Sequence, residues 1–267
     1  VGLHSAGALL SANCYAPQKY IRRWSWQTFW MAQATWCWLL WPIIGAVLTI
    51  PDLGGVLAEA LRTCPDRLVW SFLFSLAYGV GGTAFNISIR YIGFSLTYAV
   101  AVGLSSVLGT IIPPLVRGQL GTIAAKPGSG WVLAGVALGA LGIACCGAAG
   151  RLKELDLRAQ AAARGEFALA KGLLLSLLAG VLSAVYGFAI EVTTPVIAIA
   201  EQHGAGHWKG NVAYLTANTG AFVTALVYSL WLARKEHTLG ELTRLADGAE
   251  RGSLLGNYAL AFLTGTL

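Results

Sequence analysis

An all-α integral membrane bundle of about eight transmembrane helices is the fold class this sequence predicts, and three observations predict it. Of 267 residues, 56% are hydrophobic and only 11% are charged, against about a quarter charged in an average soluble domain. So few charges cannot coat a water-soluble body of this size. The apolar residues come in runs of about 20, the length a helix needs to cross the hydrocarbon core at about 1.5 Å per residue. Lys and Arg fall in the connectors between those runs, the pattern of basic loops flanking spanning helices.

The first run covers residues 1–17 and the second 25–50, which is entered through Trp24, Trp26 and Trp30. The third covers 68–89. The fourth covers 94–116, with Pro113 and Pro114 expected to end or kink it. The fifth covers 131–149, the sixth 172–194 with continuation to about 200 allowed, and the seventh 211–233. The eighth starts near Ser253 and is cut at Leu267. Each must be helical, because lipid offers no partner for open backbone groups. A β-barrel would need short alternating strands, and these runs do not alternate. The chain opens at Val1 without a basic leader, so no signal peptide is read, and both ends predict a fragment of a longer protein.

The connectors orient the bundle. Lys19, Arg22, Arg23, Arg90, Arg151, Lys153, Arg158, Arg164, Lys171, Arg234, Lys235, Arg244 and Arg251 fall on one side. Arg62, Arg67, Arg117, Lys126 and Lys209 fall on the other. Thirteen against five puts the first set in the cytoplasm and the N-terminus outside. This placement also explains the net charge of +6 without nucleic acid. The connectors 150–171 and 234–252 are charged and helix-prone, and are expected to lie along the cytoplasmic surface. The five cysteines form no C-x-x-C pair and read as small fillers, so no metal is expected.

An internal repeat is visible. Leu10-Ser11-Ala12 is followed by Tyr15, and Leu182-Ser183-Ala184 by Tyr186, five helices further on. An odd number of helices per half inverts the second half relative to the first. The division predicted is 1–150 as a first five-helix repeat and 151–267 as an incomplete second one.

The stretch Ser11–Lys19, the basic turn after it and Trp24-Ser25-Trp26 resemble the N-terminal signature of the bacterial L-rhamnose–proton symporter family. So do Gly79–Gly93 with Asn86 and Arg90-Tyr91-Ile92-Gly93, Gly103–Pro114, and Gly150-Arg151-Leu152-Lys153-Glu154. The resemblance is collinear over nearly the whole chain. It implies a drug/metabolite transporter-like bundle of ten helices. It also implies proton-driven uptake of L-rhamnose or a related sugar across the bacterial inner membrane, with the gradient in place of a cofactor. No G-x-x-x-x-G-K-[ST] loop occurs, which agrees.

Proton coupling needs a group that titrates at depth. Glu191 is the carboxylate inside an apolar run; it reads either as a proton site or as a carboxylate at the outer interface. His4, whose ordinary pKa of about 6.5 suits a proton carrier, reads either as that carrier or as a structural histidine. The resemblance implies a His in this helix. Asn13, Asn86 and Asn218 are amides at depth, able to donate and accept toward vicinal hydroxyls, or to tie helices together. Tyr15 and Tyr186, at the repeat positions, and Trp38 are candidate cavity walls, since a sugar's apolar face lies well on an aromatic plane. For Trp38 and its neighbours Trp36 and Trp41, packing is the competing reading. An exporter of amino acids or other small metabolites on the same fold is the alternative function. An intramembrane enzyme is disfavoured: no H-E-x-x-H occurs, and Gly204 and Gly206 argue against a helical His203–His207 pair.

Overall fold

A computed structural model describes residues 2–14, 16–116, 118–160, 168–243 and 251–267. Arg117, Arg164 and Arg244 of the connector tally lie outside them, as do the side chains of Arg151, Lys153, Arg158 and Arg251. Among the described residues every regular element is helical. Six stretches among the described residues are long and apolar enough to cross a membrane: Trp26–Thr49, Pro65–Ile92, Phe94–Val116, Ser129–Gly150, Leu169–Gln202 and Gly206–Lys235. The first and last helices are shorter, at 12 and 16 residues. The chain resolves into two compact units, 1–72 with 193–267 and 73–192.

The first unit begins with α1 (Gly2–Asn13) and a 3-10 turn, Ala16–Tyr20. The second spanning stretch is not one α-helix. It runs as α2 (Trp26–Ala34), a π-helical turn over Thr35–Leu40, and α3 (Trp41–Thr49). Within it, Trp41 N–H donates to Trp36 O, five residues back. Pro42 explains the change of pitch. Proline carries no N–H and its ring crowds the carbonyl four residues earlier, and a wider turn just before it relieves that conflict. Helix α4 (Leu53–Thr63) follows, capped by Asp52, whose Oδ1 accepts from Gly55 N–H at 2.9 Å. Helix α5 (Pro65–Ile92) starts in this unit.

The second unit holds the rest of α5, then α6 (Phe94–Val116), α7 (Leu120–Ala124), α8 (Ser129–Gln160) and α9 (Leu169–Glu191). Gly93, at φ +81, makes the tight corner between α5 and α6. Helix α6 runs through Pro113 and Pro114 and stops at Val116. Helix α6 packs on α8 and α9, and α9 makes the contact with small residues. A Cβ at Gly180 would meet Ala101 O at 2.9 Å, and one at Gly172 would run into Ile92 Cγ2. At this close crossing Ser88 Oγ donates to Gly172 O at 2.7 Å, and lies 2.7 Å from Ser176 Oγ and 3.1 Å from Thr97 Oγ1. Buried hydroxyls thus join α5, α6 and α9, as small and polar residues do where lipid supplies no hydrophobic drive.

The chain then returns to the first unit through α10 (Thr194–Gln202), α11 (Asn211–Lys235) and α12 (Arg251–Thr266). The sixth apolar run is therefore interrupted at Val192–Thr193, with Pro195 in the first turn of α10. Helix α11 packs on α2 and α3, and α12 on α2. An apolar core of Ala46, Val56, Ala60, Val196, Ala200 and Val212 unites α3, α4, α10 and α11. At the opposite end, the entry to α2 is fastened by Glu241. Its carboxylate accepts from Ser25 N–H at 2.7 Å and from the Ser25 and Thr28 hydroxyls at 2.8 Å each. Asn257 bonds both backbone groups of Arg22, at 3.1 and 2.7 Å.

Candidate functional site

The candidate residues fall into two sets, one per unit. Asn13, Trp38, Asn218 and the backbone of His4 belong to the first unit; Asn86, Tyr186 and Glu191 belong to the second. Tyr15 and the side chain of His4 lie outside the described residues.

In the first unit the π-turn sets the geometry. Trp38 is buried, edge-on to Trp30 with ring centroids 5.4 Å apart, and Trp30 stacks on Trp26 at 6.1 Å. On the neighbouring helix faces, Cys37, Trp41, Pro42, Gly45, Asn211, Tyr214 and Asn218 line a cavity of about 230 Å³. Asn218 therefore stands on a cavity wall, beside an indole and a phenol. Asn211 Nδ2 donates to Thr49 Oγ1 at 2.9 Å, and Trp41 Nε1 to Thr266 Oγ1 at 2.9 Å. Asn13 is exposed and its Nδ2 donates to Leu9 O at 2.9 Å, within its own helix.

In the second unit Asn86 is 1% exposed. Its Nδ2 donates to Gly82 O at 3.0 Å, while its Oδ1 is buried without a hydrogen-bond partner. A buried acceptor left unmade costs about 1–3 kcal/mol. Tyr186 packs against Tyr78 with centroids 4.5 Å apart, and Phe74 against Phe188 at 6.2 Å, so α5 and α9 meet through paired aromatics. Glu191 is the last residue of α9, half-buried, immediately before the break in the sixth apolar run. Glu191 and Tyr186 lie on α9 and Asn86 on α5, and the pairings Tyr78–Tyr186 and Ser88–Ser176 set Asn86 at a different level of the crossing from Tyr186 and Glu191.

Some polar residues were not foreseen. Trp30 Nε1, Gln33 Oε1, Ser229 Oγ and Thr264 Oγ1 are also buried without partners, all in the first unit. His203, Asp52 and Glu59 form a bonded cluster. Gln33 sits mid-run at residue 33, and its polarity at depth was the available signal. The His203 cluster joins residues far apart in sequence, and no local pattern marks it. Among the described residues no group of three or more His, Cys, Asp or Glu side chains is placed to hold a metal ion.

Residues 1–264 match the family described as L-rhamnose-proton symport protein (RhaT). The chain is similar to proteins named L-rhamnose-proton symporter from three bacteria. It is 34% identical over 193 residues to the one from Cronobacter sakazakii, and 33% over 193 residues to the one from Mannheimia succiniciproducens. It is 32% identical over 194 residues to the one from Yersinia pestis. Each alignment covers 72% of this chain and 54% of the relative. The chain thus spans about half the length of the curated relatives it matches. No solved structure matches.

Proposed function

The chain belongs to the L-rhamnose-proton symport protein family, and from that premise we propose that the whole protein carries L-rhamnose, or a closely related sugar, inward across the bacterial inner membrane together with a proton. The observation that carries this reading is the family match from the first residue to residue 264, on a chain whose described residues include six helices long and apolar enough to span a bilayer. The proton gradient supplies the driving force, so no nucleotide or other cofactor is needed and no covalent chemistry is performed.

In this reading all eight apolar segments cross the membrane, α1 and α12 included. Two inverted five-helix repeats, 1–150 and an incomplete 151–267, surround a wet chamber near the midplane. The basic connectors lie inside and the N-terminus outside. His4 or Glu191 takes the proton. The break after Glu191 supports its candidacy, because interrupted helices place backbone groups and side chains at transporter binding sites. Asn86, with its unpartnered acceptor, receives a sugar hydroxyl; Tyr186, Asn218, Asn13, Tyr15 and Trp38 are the further candidates for the sugar. Loading both ligands offsets the buried charge and the open hydrogen bonds together, which couples the two fluxes.

The test is uptake of labelled L-rhamnose by cells making the full-length protein, with and without a pH gradient, for His4→Ala and Glu191→Gln. Gradient-dependent accumulation lost in one of them assigns the proton site. Accumulation unchanged in both removes both residues from that role, and efflux of sugar or amino acids instead of uptake supports the exporter.

A further inference from the structure

His203 closes α10 as its C-cap residue and points both ring nitrogens at carboxylates of α4 and its cap. Nδ1 lies 2.8 Å from Asp52 Oδ2, and Nε2 lies 2.9 Å from Glu59 Oε2. A neutral imidazole carries one N–H, so one of these contacts would set a lone pair against a carboxylate. The doubly protonated ring donates to both. We propose that His203, gripped between Asp52 and Glu59, is a proton-binding site that braces α4 against α10 when occupied and releases that brace when empty.

The surroundings favour this reading. The other charged groups on these elements and the turn after them are Arg62, Glu201, His207 and Lys209; α11 carries its cations, Arg234 and Lys235, at its far end. Lys209 Nζ is engaged by Glu201 at 2.7 Å, while both carboxylates at His203 bond its ring. Hydrogen bonds from Glu59 first and Asp52 second hold His203 above its ordinary 6.5. The Gly55 N–H first, and His203 second, hold Asp52 below its ordinary 3.8. The signs follow by linkage. The histidine's contribution is fully present below about 6.5 and is lost as pH rises through its raised folded value. The Asp52 contribution is present above 3.8 and is lost as pH falls through its lowered one. The brace therefore holds in mildly acidic water and opens on the alkaline side. Beneath it, Val56 and Ala60 pack on Val196, Ile199 and Ala200 in an apolar contact that pH does not touch. The helices stay folded while the brace opens. Because α4 follows α3 and α10 leads toward α11, proton occupancy is felt at the ends of two spanning stretches. The site stands on its own geometry, independent of which sugar is carried.

The experiment is a histidine NMR titration of the protein in nanodiscs, with hydrogen exchange of residues 53–63 followed at about pH 6 and about pH 9, either side of the ordinary histidine value. The expected result is a His203 midpoint above about 6.5, with α4 protection, corrected for intrinsic chemistry, falling as pH rises. His203→Gln should make that protection independent of pH. Asp52→Asn with Glu59→Gln, which keeps an N-cap acceptor, should return the His203 midpoint toward its ordinary value. A wild-type midpoint at or below about 6.5, or the same pH dependence in His203→Gln, overturns the proposal. The wild-type titration decides alone if a variant does not fold.

Discussion

Replacing Gly180 with alanine probes the close approach of α9 to α6 in the second unit. The new Cβ would lie 2.8 Å from Leu104 Cβ and 2.9 Å from Ala101 O. Carbon atoms prefer about 3.5–4.0 Å, so the shortfall is about 0.7–1.2 Å. One of the two obstacles is backbone and cannot rotate away. Overpacking of this kind costs about 1–3 kcal/mol. Alanine also gains about 1 kcal/mol of helix propensity over glycine, so the single variant alone would blur the answer. Gly187, seven residues along the same helix, supplies the control, since a Cβ there meets nothing within 4 Å. Both variants share the propensity gain, and their difference isolates the crossing at about 1–3 kcal/mol. Thermal unfolding in detergent, followed by helical circular dichroism, should separate them by about 2–12 °C at about 2–4 °C per kcal/mol. Gly180→Ala should be the less stable. Equal melting of the two, or a more stable Gly180→Ala, would refute the close packing of α9 on α6.

Glu241→Ala should lower stability by about 1.5–3 kcal/mol, because it strips a charged acceptor from Ser25 and Thr28 at the start of α2. Glu241→Gln, which keeps one acceptor oxygen, should fall between that variant and wild type in the same melting assay. Asn86→Ala in the full-length protein should raise the sugar concentration for half-maximal uptake by roughly tenfold, the equivalent of one hydrogen bond of about 1.4 kcal/mol. An unchanged value, measured from initial rates, removes Asn86 from the sugar's path.

The long helices were legible because lipid, as a solvent, writes its demand into run length and into the placement of charges. Residues 94–116 were read with the bounds that α6 has, and the break at Gly93 followed from its freedom at positive φ. The π-turn at Thr35–Leu40 was not read. Its cue is Pro42 inside an apolar run. The break at Val192–Thr193 had the same kind of cue in Pro195, yet the continuous hydropathy around it argued for one run. Contacts between distant residues left no local mark. Glu241 looked like a charge in a surface connector, and its bonds to Ser25 and Thr28 span more than 200 residues of chain. His203 was weighed against His207 four residues on, because spacing is what a sequence offers; its partners are Asp52 and Glu59. Among the site candidates, Asn86 has a buried, unpartnered amide oxygen and Asn218 lines a cavity. Trp38 lies edge-on to Trp30, an arrangement that composition alone does not foretell.

The central claim, that sugar and proton cross together, is tested most directly in lightly buffered, de-energised cells making the full-length protein. Adding L-rhamnose should turn the medium alkaline as protons enter with the sugar, and an uncoupler should abolish the change. Sugar entry with no movement of protons, or an alkaline shift that persists in cells lacking the protein, would contradict it.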